Sequence, residues 1–185
     1  MSQVTKYTRG QVGTNNWTNP NNATAEDDTN YATCAPSKNN SVIGDWDFAA
    51  FSDAEVPVGA TINSVTCRCN YRVNVTSSIA SLGINNGNNG SFDGETTDTS
   101  EPTTDTDFDD AYATAPSETD LKTAGRLVSR IRGIRGNSNN AVTFSLDSIA
   151  LIVDYTYTPP AALSFPENRL YVRVGDGMST NERVK

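Results

Sequence analysis

The chain contains no histidine, only three cysteines, and no apolar run near the roughly 20 residues that a bilayer crossing needs. Without imidazole there is no Ser-His-Asp or Cys-His arrangement, no histidine acid–base chemistry and no histidine-bearing zinc site. Cys34, Cys67 and Cys69 are an odd set, and the last two are i, i+2 neighbours on one face of a predicted strand. That pattern argues for small buried side chains and against a disulfide framework. Basic residues are also scarce, 14 Lys and Arg against 22 Asp and Glu. The net charge of -8 argues against nucleic acid and anionic membranes as partners. The start, Met-Ser-Gln-Val-Thr-Lys-Tyr, lacks the regions of a signal peptide, so synthesis and folding in a host cytoplasm are expected.

The 36% of residues that are hydrophobic lie in short runs rich in Val, Ile, Tyr and Phe, separated by Asn, Gly, Ser, Asp and Pro. Such punctuation predicts an all-β chain. Val65, Cys67, Cys69, Tyr71, Val73 and Val75 recur at every second position and predict a half-buried strand. A second alternation, Val142, Phe144 and Leu146, slips by one at Asp147-Ser148 and resumes at Ile149, Leu151, Val153, Tyr155 and Tyr157. The slip predicts a bulge or a tight turn between two strands. Val42 to Phe51 reads as a strand, and Arg126 to Arg135 as strand rather than helix because of its glycines. Ser117 is placed to cap a helical turn ahead of Glu118 and Asp120. The first sixty residues otherwise read as short strands and ordered loops.

The expected domain is residues 1–158, with an Asn-, Gly- and Asp-rich acidic loop over about 83–116, ended by Pro159-Pro160. Residues 159–185 are expected to form a C-terminal arm or extension. Its one alternating piece, Leu170, Tyr171, Val172, Arg173 and Val174, cannot hold itself together as a lone strand and is a candidate inter-subunit arm. Asp93 to Asp120 carries ten carboxylates and no base, whereas Lys122 to Arg135 carries five bases and no acid. Arg126, Arg130, Arg132 and Arg135 therefore make a candidate basic contact strand, to be weighed against an ordinary solvated one.

Catalytic chemistry is hard to place. No phosphate-binding glycine motif occurs, and no cofactor is implied. Asp105, Asp107, Asp109 and Asp110 supply oxygen ligands without the spacing of a calcium loop, so no metal site is assigned. Acids are too numerous to nominate a glycosidase pair. Trp17, Trp46, Tyr31 and Tyr112 have the chemistry to stack on sugar rings, although tryptophans of an all-β domain usually serve its core.

Three pieces of the chain carry a resemblance. Trp17-Thr-Asn19-Pro20-Asn-Asn22-Ala23 is followed by Asp27-Asp28 and Tyr31-Ala32-Thr33; later come Phe51 with Val56-Pro57-Val58-Gly59-Ala60-Thr61-Ile62, and Ser148 to Thr156. In order and spacing these resemble a group of tailed-bacteriophage and prophage virion proteins with a W-x-N-P-x-N-A, Y-A-T and P-x-G-A-T-I signature. The resemblance implies a jelly-roll-like antiparallel β-sandwich in a virion structural protein, with Trp17, Asn19, Pro20, Asn22, Ala23, Tyr31, Pro57 and Gly59 as structural residues. The function expected from it is non-enzymatic capsid decoration or cement, contacting the major capsid protein and other virion proteins, as a homo-oligomer such as a trimer. The alternative is a host-surface carbohydrate-binding module of a tail or head fibre. The acidic stretch and the region beyond Pro159 fall outside the resemblance.

Overall fold

The computed structural model describes residues 1–13, 16–27, 29–76 and 79–160. The fold is all-β, a jelly-roll-like antiparallel sandwich of nine strands with one short helix among the described residues. The strands are β1 (Ser2–Val12), β2 (Ala32–Cys34), β3 (Asn40–Phe48), β4 (Thr61–Val73), β5 (Ala80–Asn88), β6 (Ser91–Asp98), β7 (Thr106–Ala111), β8 (Leu127–Arg135) and β9 (Phe144–Thr156). The helix α1 is Glu118–Leu121. The arm residues Leu170 to Val174 lie outside the described residues.

The first sheet runs β6-β5-β8-β3-β1 and the second β1-β9-β4-β7, with β2 beside β9. Strand β1 joins both: residues 2 to 7 pair with β9 and residues 8 to 12 with β3. It crosses between layers where its register slips, between Thr8 and Gly10, and Gly10 takes φ 130° there. One side of the sandwich is thus closed by β1, and the other is flanked by the edge strands β6 and β7. Between the layers lie Trp46, Tyr71, Phe144, Leu82, Ile84, Ile131, Leu146 and Leu151, all fully buried.

The two strong periodicities become the two longest strands, β4 and β9, paired along their length. The phase slip is a bulge: Asn70 faces Ser148 and Tyr71 faces Leu146, so Asp147 is the extra residue. Strand β8 and the capped turn also form, and Ser117 and Asp120 exchange bonds in a capping box.

Two expectations are overturned. Residues 83–116 are not one acidic loop, because most of β5 and all of β6 and β7 lie there. Asn89 and Gly90 both take positive φ, at 53° and 81°, and link β5 to β6 in the two-residue hairpin that Asn-Gly favours. Strand β5 forms despite its Asn and Gly content because it is interior, hydrogen-bonded by both β6 and β8. The first sixty residues also hold more than short strands: β1 runs for 11 residues, hidden from periodicity because its inward positions are Val4, Lys6, Thr8 and Gly10, only one of them apolar. The Lys6 ammonium lies 4.7 Å from the Phe51 ring centroid and donates to Glu55 and the Ala50 carbonyl.

The acids of this region work within the fold. Glu101, buried at φ 50°, accepts the N–H groups of Ile79 and Ala80 at the start of β5. Asp110 of β7 accepts from Asn86 of β5 at 2.8 Å, tying one sheet to the other.

Candidate functional site

The signature residues build a corner of the fold. Asn19 sits in the left-handed region at φ 51°, ahead of a 3-10 turn over Pro20–Ala23. The Pro20 carbonyl accepts the Trp46 indole N–H at 3.0 Å, and Asn22 donates to the Tyr31 carbonyl at 3.3 Å. Trp17 and Trp46 pack edge to face at 5.7 Å, and both are buried, as are Ala23 and Tyr112. Pro57 and Gly59 form a turn whose Gly59 N–H is held by Glu118. The tryptophans and Tyr112 are therefore core residues with no face for a sugar. Tyr31 is half-buried on the outside of the second sheet, its ring 4.2 Å from the Arg72 guanidinium and its hydroxyl donating to Asp105.

The basic strand occupies the middle of the first sheet, between β5 and β3. Leu127, Ser129, Ile131 and Gly133 face inward, so Val128, Arg130, Arg132 and Ile134 face out. Register places them in rows across the sheet. Ser41, Ile134 and Ser81 form one row; Ile43, Arg132, Gly83 and Thr97 the next; Asp45, Arg130, Asn85 and Glu95 the third; Asp47, Val128, Gly87 and Phe92 the last.

Two glycines flatten this face. A Cβ on Gly87 would stand 2.9 Å from Phe92 Cε1, and one on Gly83 would stand 2.6 Å from Glu95 Cδ. Side chains from the edge strand β6 thus fold inward over β5 instead of projecting outward. Phe92 then meets Arg130, whose guanidinium carbon is 4.3 Å from the ring centroid. Arg130 also makes a two-pronged pair with Asp45 at 2.8 and 2.9 Å, which raises its already high pKa further. Arg132 pairs with Glu95, and Arg9 with Asp47. Arg126 pairs with Asp120 at 2.9 Å, and Arg135 donates to the carbonyls of Pro36 and Ser138.

The pairs remain within reach of a ligand: the side chains of Arg130 and Arg132 are each 37% exposed. Beyond Arg132 the face dips into an open depression of about 400 Å³ whose lining includes Asn40, Ser41, Arg132 and Ile134. The arrangement offers one aromatic ring, exposed Ile43, and planar donors and acceptors on one face. Among the described residues, no cluster of His, Cys, Asp and Glu is set to hold a metal ion.

The outside of the second sheet differs. Arg68 bridges Asp107 and Asp109, Arg72 pairs with Asp105, and Asp154 and Glu26 accept from the neutral side chains of Gln3 and Tyr7. Residues near the 3-10 turn also lie against it, since Thr24 bridges Ser148 and the Asp27 N–H donates to Asp147. Sequence reasoning selected Arg130 and Arg132 but missed Phe92, Asp45 and Glu95, because only register reveals that these residues meet.

The fold and its outer faces define the chain as a single jelly-roll-like sandwich. No family model and no curated protein matches it. Among solved structures it is similar to the xylan-binding module CBM15, at 17% identity and TM-score 0.43 over 82% of this chain and 95% of that one. A CBM4 structure gives 17% identity and TM-score 0.41, covering 83% of this chain and 94% of that one. The CBM36-1 domain of a multidomain xylanase from the hindgut metagenome of Trinervitermes trinervoides gives 9% identity and TM-score 0.39, with 85% and 100% covered.

Proposed function

We propose that the chain is a non-catalytic glycan-binding module that takes its ligand on the outer face of the β6-β5-β8-β3-β1 sheet. In the setting suggested by the phage-virion resemblance, it is the host-surface binding part of a tail or head fibre. One observation carries the reading. Phe92, Arg130, Asp45, Arg132 and Glu95 form one linked array on this face, with Phe92 and Glu95 laid over Gly87 and Gly83.

A sugar ring presents an apolar C–H surface bordered by hydroxyls. A guanidinium plane stacked on an aromatic ring meets both demands, because together they offer a flat surface to the C–H face while guanidinium N–H groups and carboxylate oxygens exchange hydrogen bonds with hydroxyls. A preset array of this kind holds a ligand without a deep cavity or moving parts.

The capsid-decoration reading is supported by different features. It looks to the arm at Leu170 to Val174 and to a basic strand free to meet an acidic neighbour. The arm lies outside the described residues, and Arg126, Arg130 and Arg132 are engaged by acids of this chain. The test uses purified protein with immobilised polysaccharides and host cells, alongside co-sedimentation with phage shells. Retention on glycan or cells that weakens in Phe92→Ala is expected. Saturable binding to shells, with no retention on any glycan or cell surface, would overturn the proposal.

A further inference from the structure

We infer that the ligand of this face is an uncharged polysaccharide bound along its length, rather than an acidic glycan or a chain terminus. This rests on the glycan-binding reading above.

The charge argument comes from pairing. Arg9, Arg130 and Arg132 each already hold a carboxylate of this chain, Asp47, Asp45 and Glu95 respectively. An incoming carboxylate or sulfate would have to displace a resident acid, two-pronged in the case of Asp45, and would be left beside it. A hydroxyl asks for no such exchange. Paired guanidinium and carboxylate groups still have unused donor and acceptor capacity, which a neutral sugar can use in both directions.

The length argument comes from register. Phe92 lies over Gly87, which pairs with Val128; the depression lies at Ile134, six residues further along β8. At about 3.3 Å per residue the two features stand roughly 20 Å apart. Between them β5 raises no side chain of its own at 83 or 87, where Glu95 and Phe92 lie over the glycines. That span suits several linked sugars, and the open depression supplies no end wall to recognise a terminus.

The test is calorimetry on the full chain with ladders of neutral oligosaccharides, and affinity gels carrying neutral or uronic-acid polysaccharides at low and high salt. Affinity is expected to rise by about tenfold or more from disaccharide to the length that spans the face, and then to level off. Neutral binding should change little with salt, and acidic gels should retain the protein weakly. Glu95→Gln, which frees Arg132, should gain salt-sensitive retention on acidic gels. Two results would overturn this inference while leaving the face as the binding site: salt-sensitive preference of the unaltered protein for acidic chains, or a monosaccharide bound as tightly as the ladder, with either lost in Phe92→Ala. Absence of binding to every glycan would overturn the glycan-binding reading itself.

Discussion

Arg130 of β8 places its guanidinium 4.3 Å from the Phe92 ring of β6 and at the same time bonds both carboxylate oxygens of Asp45 on β3. One side chain thereby links three strands of a five-stranded sheet on its outer surface. Phe92→Ala removes the aromatic part of this assembly while leaving the core intact. Affinity for bound glycan should fall roughly tenfold, corresponding to about 1.4 kcal/mol. Phe92→Tyr should restore most of it. Calorimetry on both variants checks this; equal affinity in Phe92→Ala and the unaltered chain would contradict it.

Gly133 is required by packing. A Cβ there would stand 2.6 Å from Cys34 Sγ and 3.0 Å from Phe144 Cδ2, both inside the sandwich. Gly133→Ala should cost about 1–3 kcal/mol through overpacking. Thermal denaturation should show a lower Tm, and an unchanged Tm would count against the packing described.

Trp46 fills the core and donates to the Pro20 carbonyl in the signature turn. Trp46→Ala should destabilise by about 3–5 kcal/mol. Trp46→Phe should cost less, since it keeps most of the packing and loses the hydrogen bond. Urea unfolding of the two variants tests the order.

Asp110 has a raised pKa, chiefly from burial, with a hydrogen bond from Thr96 opposing the shift and repulsion by Asp93 adding to it. A carboxyl whose folded pKa lies above its unfolded one disfavours folding when ionised, and the native state gains relative stability as pH falls through its range. Asp110→Asn can still accept the Asn86 bond, so at neutral pH it should be as stable as the parent or more so. Marked destabilisation at neutral pH would contradict this account of the bond between the sheets.

Glu55 has the opposite shift. The Ser52 backbone N–H, with help from Lys6 and the Ser52 hydroxyl, lowers its pKa from 4.5 to about 2. The stabilisation is present above the unfolded value and is lost as pH falls from 4.5 towards 2. Its part-exposed setting limits the contribution to about 1 kcal/mol. Stability measured against pH should fall through this window, and Glu55→Gln should show a shallower fall.

The sequence was most legible where one face of a strand is apolar and the other polar. Alternation from Val65 to Val75 and from Ala141 to Tyr157 located β4 and β9, and the phase change at Asp147 located the bulge. Strands β1 and β5 were obscured because their inward faces carry Lys6, Thr8, Gly10 and Asn86, whose burial depends on partners distant in sequence. Within the candidate site, Arg130 and Arg132 stood out as charges. Their meaning changed once register set Asp45 and Glu95 beside them, and Phe92 acquired a role only because Gly87 of the adjacent strand lets it lie down. Such meetings come from hairpin geometry and strand order, which periodicity does not encode.

The most direct measurement is backbone amide NMR of the labelled protein titrated with a glycan that it retains. The account predicts shift changes concentrated at Asn85, Phe92, Glu95, Arg130 and Arg132, with Tyr31 and Arg72 on the opposite sheet unmoved. Changes centred on Tyr31 and Arg72, with the first sheet silent, would contradict it.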